Sequence, residues 1–189
     1  RHAGHVPPLA STETAQQIAE QFVRLYYGLM AVRPSALGQF YREGSELSRS
    51  WFSGAASAPN DSAVHRGLAE ITKALMASVG GADPPQGKPA VVTTVESVSA
   101  RGFPTAAPEP GAPVALVAHI TGFITFFQAR TRLVQFSQQV MLGPEPEEAG
   151  RPQHLVVRQD SVQYFEVPLQ QDGASSLGLL APPSACAPA

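Results

Sequence analysis

Apolar residues recur at helical spacing from Ile18 through Phe22 and Leu25 to Leu29, with Tyr26 and Met30 widening the stripe. An i, i+4, i+7, i+11 pattern is that of an amphipathic helix, predicted here over 12–32. Ser11 or Thr12 can cap its first turn, and Glu13 complements the positive end of the helix dipole. Pro34 ends it near Val32, because the residue before a proline avoids helical geometry. A short second helix follows, capped by Ser35, with Leu37, Phe40 and Tyr41 on one face. Residues 45–52 read as a short strand ending at Trp51-Phe52. Leu68, Ile71, Leu75 and Val79 then repeat at helical spacing, which predicts a third helix over about 62–78, closed by Gly80-Gly81.

From residue 90 the period changes to two. Residues 90–100 alternate as a strand around Val91 and Val95. In 114–127 one face carries Val114, Leu116, Ala118, Ile120 and Ile124, and the other Ala115, Val117, His119, Thr121 and Phe123. In 132–142 the apolar face is Val134, Phe136, Val140 and Leu142, interrupted by Gln138; Leu133, Gln135, Ser137, Gln139 and Met141 lie opposite. A last strand covers about 154–167. Helices first and a strand meander afterwards predict an α+β fold, helices packed on one face of an antiparallel sheet. The second sheet face is too apolar for open water and too polar for a core. A subunit interface fits it, which makes Val117, His119, Phe123, Gln135, Ser137 and Met141 candidate homodimer contacts.

Pro and Gly cluster in four places, 1–10, 80–89, 102–113 and 143–152, and the sequence after Pro168 loses periodicity. The expected organisation is a flexible segment 1–11, one domain over 12–168 with Pro/Gly-rich loops near 80–89, 102–113 and 143–153, and a linker or tail over 169–189. A chain starting without Met and ending in Ala/Pro/Ser-rich sequence reads as a fragment of something larger. Apolar residues make up 43% of the sequence, which excludes wholesale disorder. A net charge of −2 without a basic cluster excludes binding to nucleic acid through phosphates by this segment. No apolar run exceeds about ten residues, too short to span a bilayer, and no signal peptide is visible. The single cysteine, Cys186, has no partner for an internal disulfide.

The five histidines, at 2, 5, 65, 119 and 154, are scattered without metal-ligand spacing. Phosphate-binding glycine loops and nucleophile elbows are absent. A helix-on-sheet pocket could hold an inward carboxylate or histidine base, for which Asp61, Glu96, His119 and Asp160 are the candidates. His119 alternates with outward residues, Glu96 shares a face with Thr94 and Val98, and Asp160 has Arg158 or a turn to pair with. None is assigned as catalytic, and no metal or cofactor is expected. The aromatics concentrate instead in the first two helices, where Phe22 and Phe40 can flank an apolar groove suited to an aromatic peptide anchor.

The stretch Phe22-Val23-Arg24-Leu25-Tyr26-Tyr27, followed by Leu37-Gly38-Gln39-Phe40-Tyr41, resembles the opening of nuclear transport factor 2-like domains. Further blocks match in order. Gly67-Leu68-Ala69-Glu70-Ile71 is similar to the start of the family's third helix, and Gly122-Phe123-Ile124 to the end of a long strand. Phe136 to Glu145 resembles the Phe-x-Gln-x-Phe-x-Leu-x-Pro strand, and Val157 to Tyr164 the closing strand. The resemblance covers about 12–167 and implies a cone-shaped α+β fold, three helices on a curved antiparallel sheet.

Within that family the opening block and Leu142-Gly143-Pro144-Glu145 most resemble the stress-granule scaffold branch, the Ras-GAP SH3-domain-binding proteins. That branch implies a non-catalytic homodimer within a larger RNA-associated protein, cytoplasmic with nuclear shuttling. RNA would be bound only by segments outside this chain. Its groove takes short Phe-Gly-type motifs, and the matching positions here are Phe22 and Phe40, with Ile18 one turn earlier; Leu155 stands where the branch has a third aromatic. The alternatives within the fold are a carrier of Ran and FG nucleoporins, for which 126–132 offers Arg130 and Arg132 in place of acidic residues, and a small-molecule isomerase or dehydratase.

Overall fold

The structure is a computed structural model and describes residues 12–53, 59–103, 115–127, 132–145 and 155–167. The predicted termini 1–11 and 169–189, residues 128–131 between the two long predicted strands, and most of the loops at 102–113 and 143–153 lie outside these residues. Helix α1 spans Thr12–Val32, a 3₁₀ helix Pro34–Phe40 and helix α2 Leu68–Ser78. The strands are β1 (Glu46–Phe52), β2 (Asp61–Arg66), β3 (Val91–Phe103), β4 (Ala115–Phe126), β5 (Arg132–Pro144) and β6 (Leu155–Glu166).

The six strands form one sheet in the order β2-β1-β6-β5-β4-β3. All neighbours are antiparallel except β1 and β6, which run parallel. The expected antiparallel sheet is thus mixed at one junction, because β1 comes from the helical half of the chain and docks beside the last strand. Alternation along β4 and β5 falls as the sequence predicts: Leu116, Ala118, Ile120, Ile124, Val134, Phe136, Val140 and Leu142 are buried. Gln138 shares their face and is buried too.

Helix α1 buries Ala15, Ala19, Phe22, Val23, Tyr26, Tyr27 and Met30. The small residues of its first turns let the helix lie close over β3. There the Gln16 side-chain amide donates to the Val98 carbonyl (2.9 Å) and accepts from the Ala100 N–H (3.1 Å). One side chain thus satisfies a peptide's worth of the free β3 edge, a position where unpaired backbone invites association. Leu25, expected in the buried stripe, is 60% exposed. The stripe is rotated towards Val23, Tyr27 and Met30, because the sheet beneath accepts the tyrosines.

The third helix begins at Leu68, and residues 62–66, expected as its first turns, belong to strand β2 (61–66), a hairpin partner of β1. Ala63 and His65 are half-buried while Ser62, Val64 and Arg66 are exposed, the period of a strand. Gly67, at φ +81°, then breaks the strand and starts the helix in a conformation that other residues rarely adopt. Ser35 does not cap its own helix. Its N–H (2.9 Å) and hydroxyl (2.6 Å) both donate to the Asp83 carboxylate in the Gly-rich loop, which holds that carboxyl below its ordinary range.

β3 carries a bulge at Glu96, between the pairs Val95–Gly122 and Ser97–Thr121. A Cβ built on Gly122 would stand 2.2 Å from the Thr94 carbonyl oxygen and 3.1 Å from the Phe136 ring. Neither the backbone oxygen nor the buried ring can yield, so bulge and glycine specify each other. Gly122→Ala is therefore expected to lower unfolding stability by about 2–3 kcal/mol or more, measured by urea titration. A loss no larger than that of an exposed strand substitution would refute this reading of the contact.

Candidate functional site

Between the helices and the sheet lies a buried chain of hydrogen bonds. Asp160 on β6 is 2% exposed. It accepts at Oδ2 from the Tyr41 hydroxyl (2.7 Å) and at Oδ1 from the Gln138 amide (2.8 Å). The Gln138 carbonyl accepts from Tyr27 (2.7 Å), and the Tyr26 hydroxyl meets that of Tyr41 at 3.1 Å. Burial raises the Asp160 carboxyl above its ordinary range; the Tyr41 and Gln138 donors and the nearby Arg49 charge oppose that rise. Burial likewise pushes Tyr26, Tyr27 and Tyr41 well up, so all three are neutral donors at physiological pH. The expected partner Arg158 is not involved: it is the bulge residue of β6 and donates to the Pro144 carbonyl. Alternation along β5 and β6 carries the signal for this network, since it sends both Gln138 and Asp160 to the apolar face.

The other three candidate bases stand apart from Asp160. His119 is exposed on the opposite face of the sheet, its Nε2 3.0 Å from the Ser137 hydroxyl. Glu96 is the exposed bulge residue, and Asp61 lies at the start of β2. The structure does not bring these groups together. Among the described residues no three His, Cys, Asp or Glu side chains are grouped to hold a metal ion, and no helix is long and apolar enough to cross a membrane.

Phe22 and Phe40 meet edge to face, ring centres 5.4 Å apart, and both contact Tyr26, at 5.2 and 5.7 Å. Phe22 is buried, while Ile18, Phe40 and Leu155 are half-buried against the core. Just beyond Phe40, the Arg42 guanidinium grips both oxygens of Glu145 and donates to the Gln39 and Tyr41 carbonyls. This two-pronged ion pair ties the end of the 3₁₀ helix to the end of β5, beside the start of β6 where Leu155 pairs with Pro144.

On the outer sheet face, Val117 lies opposite Met141, His119 opposite Gln139, Thr121 opposite Ser137 and Phe123 opposite Gln135. Val117, Phe123, Ser137 and Met141 are half-buried; His119 and Gln135 are exposed. Next to them is a hollow of about 170 Å³ lined by Val117, Gln139, Met141, Gln159 and Ser161.

A larger cavity, about 460 Å³, opens between α2, the β1–β2 hairpin and the far ends of β4 to β6. Arg49 and Trp51 of β1, His65 of β2 and Phe126 of β4 line it, with Asp61 and Glu166 also in its wall. Trp51 stacks on Tyr164 at 4.4 Å, and the Arg49 guanidinium lies 5.6 Å from the centre of the same ring. Sequence reasoning passes over Arg49 and Trp51, although they follow Leu47 at a strand's spacing and so share its inward face.

No protein-family model matches the chain, and no curated protein matches it. Solved structures do. The yeast UBP3-associated protein BRE5 superposes with a TM-score of 0.57 at 16% identity, over 80% of this chain and 97% of that one. The yeast deubiquitinase Ubp3 and Bre5 cofactor complex gives 0.54 at 17% identity, over 82% and 99%. The Chaetomium thermophilum Mex67 NTF2-like domain complexed with Mtr2 gives 0.56 at 16% identity, over 91% and 99%. The chain has the nuclear transport factor 2-like fold.

The raised Asp160 carboxyl makes stability depend on pH with a definite sign. The folded state holds this proton more tightly than the unfolded chain, whose carboxyl has the ordinary value of 3.8. That stabilisation is complete below 3.8 and is lost as pH rises through the higher folded value. Relative to Asp160→Asn, the wild type should therefore lose stability over this window, read from denaturant midpoints at a series of pH values. Parallel curves would show that Asp160 does not titrate abnormally.

Proposed function

We propose that this chain is a non-catalytic dimerisation and protein-interaction module of a larger RNA-associated protein, of mRNP or stress-granule type, cytoplasmic with nuclear shuttling. The observation that carries the reading is the outer sheet face. Its positions on β4 (Val117, His119, Thr121, Phe123), β5 (Gln135, Ser137, Gln139, Met141) and β6 (Gln159, Ser161, Gln163, Phe165) include no Asp, Glu, Lys or Arg. A broad uncharged face with half-buried Val, Phe and Met is the composition of an interface core. A second copy would bring Val117, His119, Phe123, Gln135, Ser137 and Met141 against their symmetry mates, and the hollow beside Met141 would receive a partner side chain. The Bre5 and Mex67 domains of like fold are named in complexes with Ubp3 and Mtr2, in keeping with an interaction role.

The partner segment would be a short Phe-Gly-type motif bound at Ile18, Phe22, Phe40 and Leu155. Because Phe22 and Phe40 touch each other, the incoming ring would either stack on their shared edge or swing the less buried Phe40 aside. Burying one Phe ring stabilises by about 1.5–3 kcal/mol, and ordering a flexible peptide offsets much of that. Single motifs should bind at about micromolar affinity or weaker, with a dimer adding avidity.

Light scattering on the purified chain should give twice the chain mass at micromolar concentration. Phe123→Asp should give the monomer mass with the fold retained by circular dichroism, since it strands an unpaired charge costing about 3–5 kcal/mol. A wild-type monomer would remove the dimer from the reading. Phe40→Leu should weaken a Phe-Gly peptide by roughly fivefold or more while costing only about 1 kcal/mol of stability and leaving the dimer mass unchanged. Peptide-induced shifts confined to another surface would exclude the groove.

A further inference from the structure

The two edges of the sheet are treated differently. The edge at β3 lies under α1, and the Gln16 side chain meets its Val98 carbonyl and Ala100 N–H. The edge at β2 has no such cover among the described residues. Its bonding phase follows from one bond: the Gly67 N–H donates to the Ser45 carbonyl at 3.1 Å, in register with the pairing of Glu46 with Arg66. In an antiparallel ladder hydrogen-bonded pairs alternate with non-bonded ones. Leu47–His65, Arg49–Ala63 and Trp51–Asp61 are therefore the bonded pairs. The Ser50 and Ser62 hydroxyls, 3.3 Å apart, fit a non-bonded pair, whose side chains stand closer. It follows that Ser62, Val64 and Arg66 turn their N–H and C=O groups away from β1, and no described residue bonds to those groups. The edge also lacks the usual guards. Asp61–Arg66 contains no Lys or Pro, its two strongly charged residues stand at its ends, its pairing with β1 has no bulge, and Val64 at its middle is 50% exposed.

We propose that β2 pairs antiparallel with β2 of a second copy of this chain, across a two-fold axis at Val64. That register sets Val64 against its own mate, and Ser62 of each copy against Arg66 of the other. These three bonded pairs use every outward N–H and C=O of both strands and leave none over; a displaced register leaves some unmade. The side chains agree with it. On the outer face two exposed β-branched valines meet, and the Arg66 charge, already held by Glu46 at 2.8 Å, faces a serine. On the inner face Ala63 lies opposite His65 of the second copy. Asp61 lies opposite Gly67, which has no side chain, and diagonal to that same histidine, an acid beside a base. An unrelated strand would have to supply this pattern, whereas a second copy carries it by symmetry. The contact joins two six-stranded sheets into one. It does not use the outer face of β4 to β6, so it stands whether or not that face dimerises. Where both contacts form, two different two-fold axes on one chain link copies into an open array.

A short edge pair is a weak contact, so the dissociation constant should be about 1 mM or tighter. In the Phe123→Asp protein, whose outer face is disabled, sedimentation equilibrium should show the mass rising from one chain towards two between about 0.05 and 1 mM. In the wild type the same rise should start from the micromolar mass, whether that is one chain or two, so the outer-face dimer and the edge contact fail separately. Amide hydrogen exchange locates the contact. Protection at Ser62, Val64 and Arg66 should grow by about twofold or more at the highest concentration, while Ala63 and His65, already bonded to β1, stay as they are. Val64→Pro removes only an outward donor, so β1 keeps its bonds; it should weaken association by roughly tenfold or more, with circular dichroism establishing the fold. Val64→Lys sets two ammonium groups against each other and should weaken it likewise without proline's constraint on the backbone. No rise in mass up to about 1 mM, added protection that does not alternate along β2, or undiminished association of folded Val64→Pro or Val64→Lys would each overturn the proposal.

Discussion

The Asp160 carboxylate is where the halves of this molecule are joined. It sits on the last strand and accepts from Tyr41, which ends the helical segment, and from Gln138 on the neighbouring strand. Through Gln138 it reaches Tyr27, and through Tyr41 it reaches Tyr26. Five side chains from α1, the end of the 3₁₀ helix and two strands therefore share one polar knot within a mainly apolar interior. Apolar contact fixes that the helices cover the sheet but is tolerant of small slides. Directional bonds at 2.7–3.1 Å are not. Removing any one partner leaves another buried group unsatisfied, at a cost of about 1–3 kcal/mol, so the knot holds the helical layer in one register over the strands.

That register sets the surfaces. Tyr26 and Tyr27 pointing into the knot turn Phe22 towards Phe40 and leave Leu25 outside. The Arg42–Glu145 clamp and the Ser45 hydroxyl, which donates to the Val157 carbonyl at 2.6 Å, fasten the segment after Tyr41 to β5 and β6. With the helices committed to one face of the sheet, no described element covers the opposite face of β4 to β6, whose side chains include no Asp, Glu, Lys or Arg.

How far the chain could be read without its structure depended on the range of each interaction. The long strands β4 and β5 are legible because a period of two sustained over a dozen residues is incompatible with a helix and too regular for a loop. The helix over 12–32 is legible for the corresponding reason. Strand β2 escapes such a reading because its six residues are short and polar, and the true helix beyond Gly67 lends its periodicity backwards; the family-like block opening at Gly67 marks the real boundary. The parallel β1–β6 pair joins segments more than a hundred residues apart, and no local pattern encodes it. Phe22 and Phe40 can be picked out because aromatics at helical spacing stand out in a sequence. Asp160 and Arg49 look like ordinary surface charges. Only alternation turns them inward, and alternation says nothing about which partners wait there.

The two inward charges also differ in how each is satisfied. Leu47 and Asp160 are paired across the β1–β6 junction, so Arg49 lies one inward position further along the same strand. Its charge favours the ionised form of Asp160 without reaching ion-pair distance. Asp160 spends both oxygens on Tyr41 and Gln138, which accounts for its burial as a structural device. Arg49 donates through Nη1 to the Ala74 carbonyl of α2 and lies 5.6 Å from the centre of the Tyr164 ring. Asp160 therefore fastens α1 and the 3₁₀ helix over the sheet while Arg49 fastens α2 to β1, so the two inward charges between them fix both parts of the helical layer.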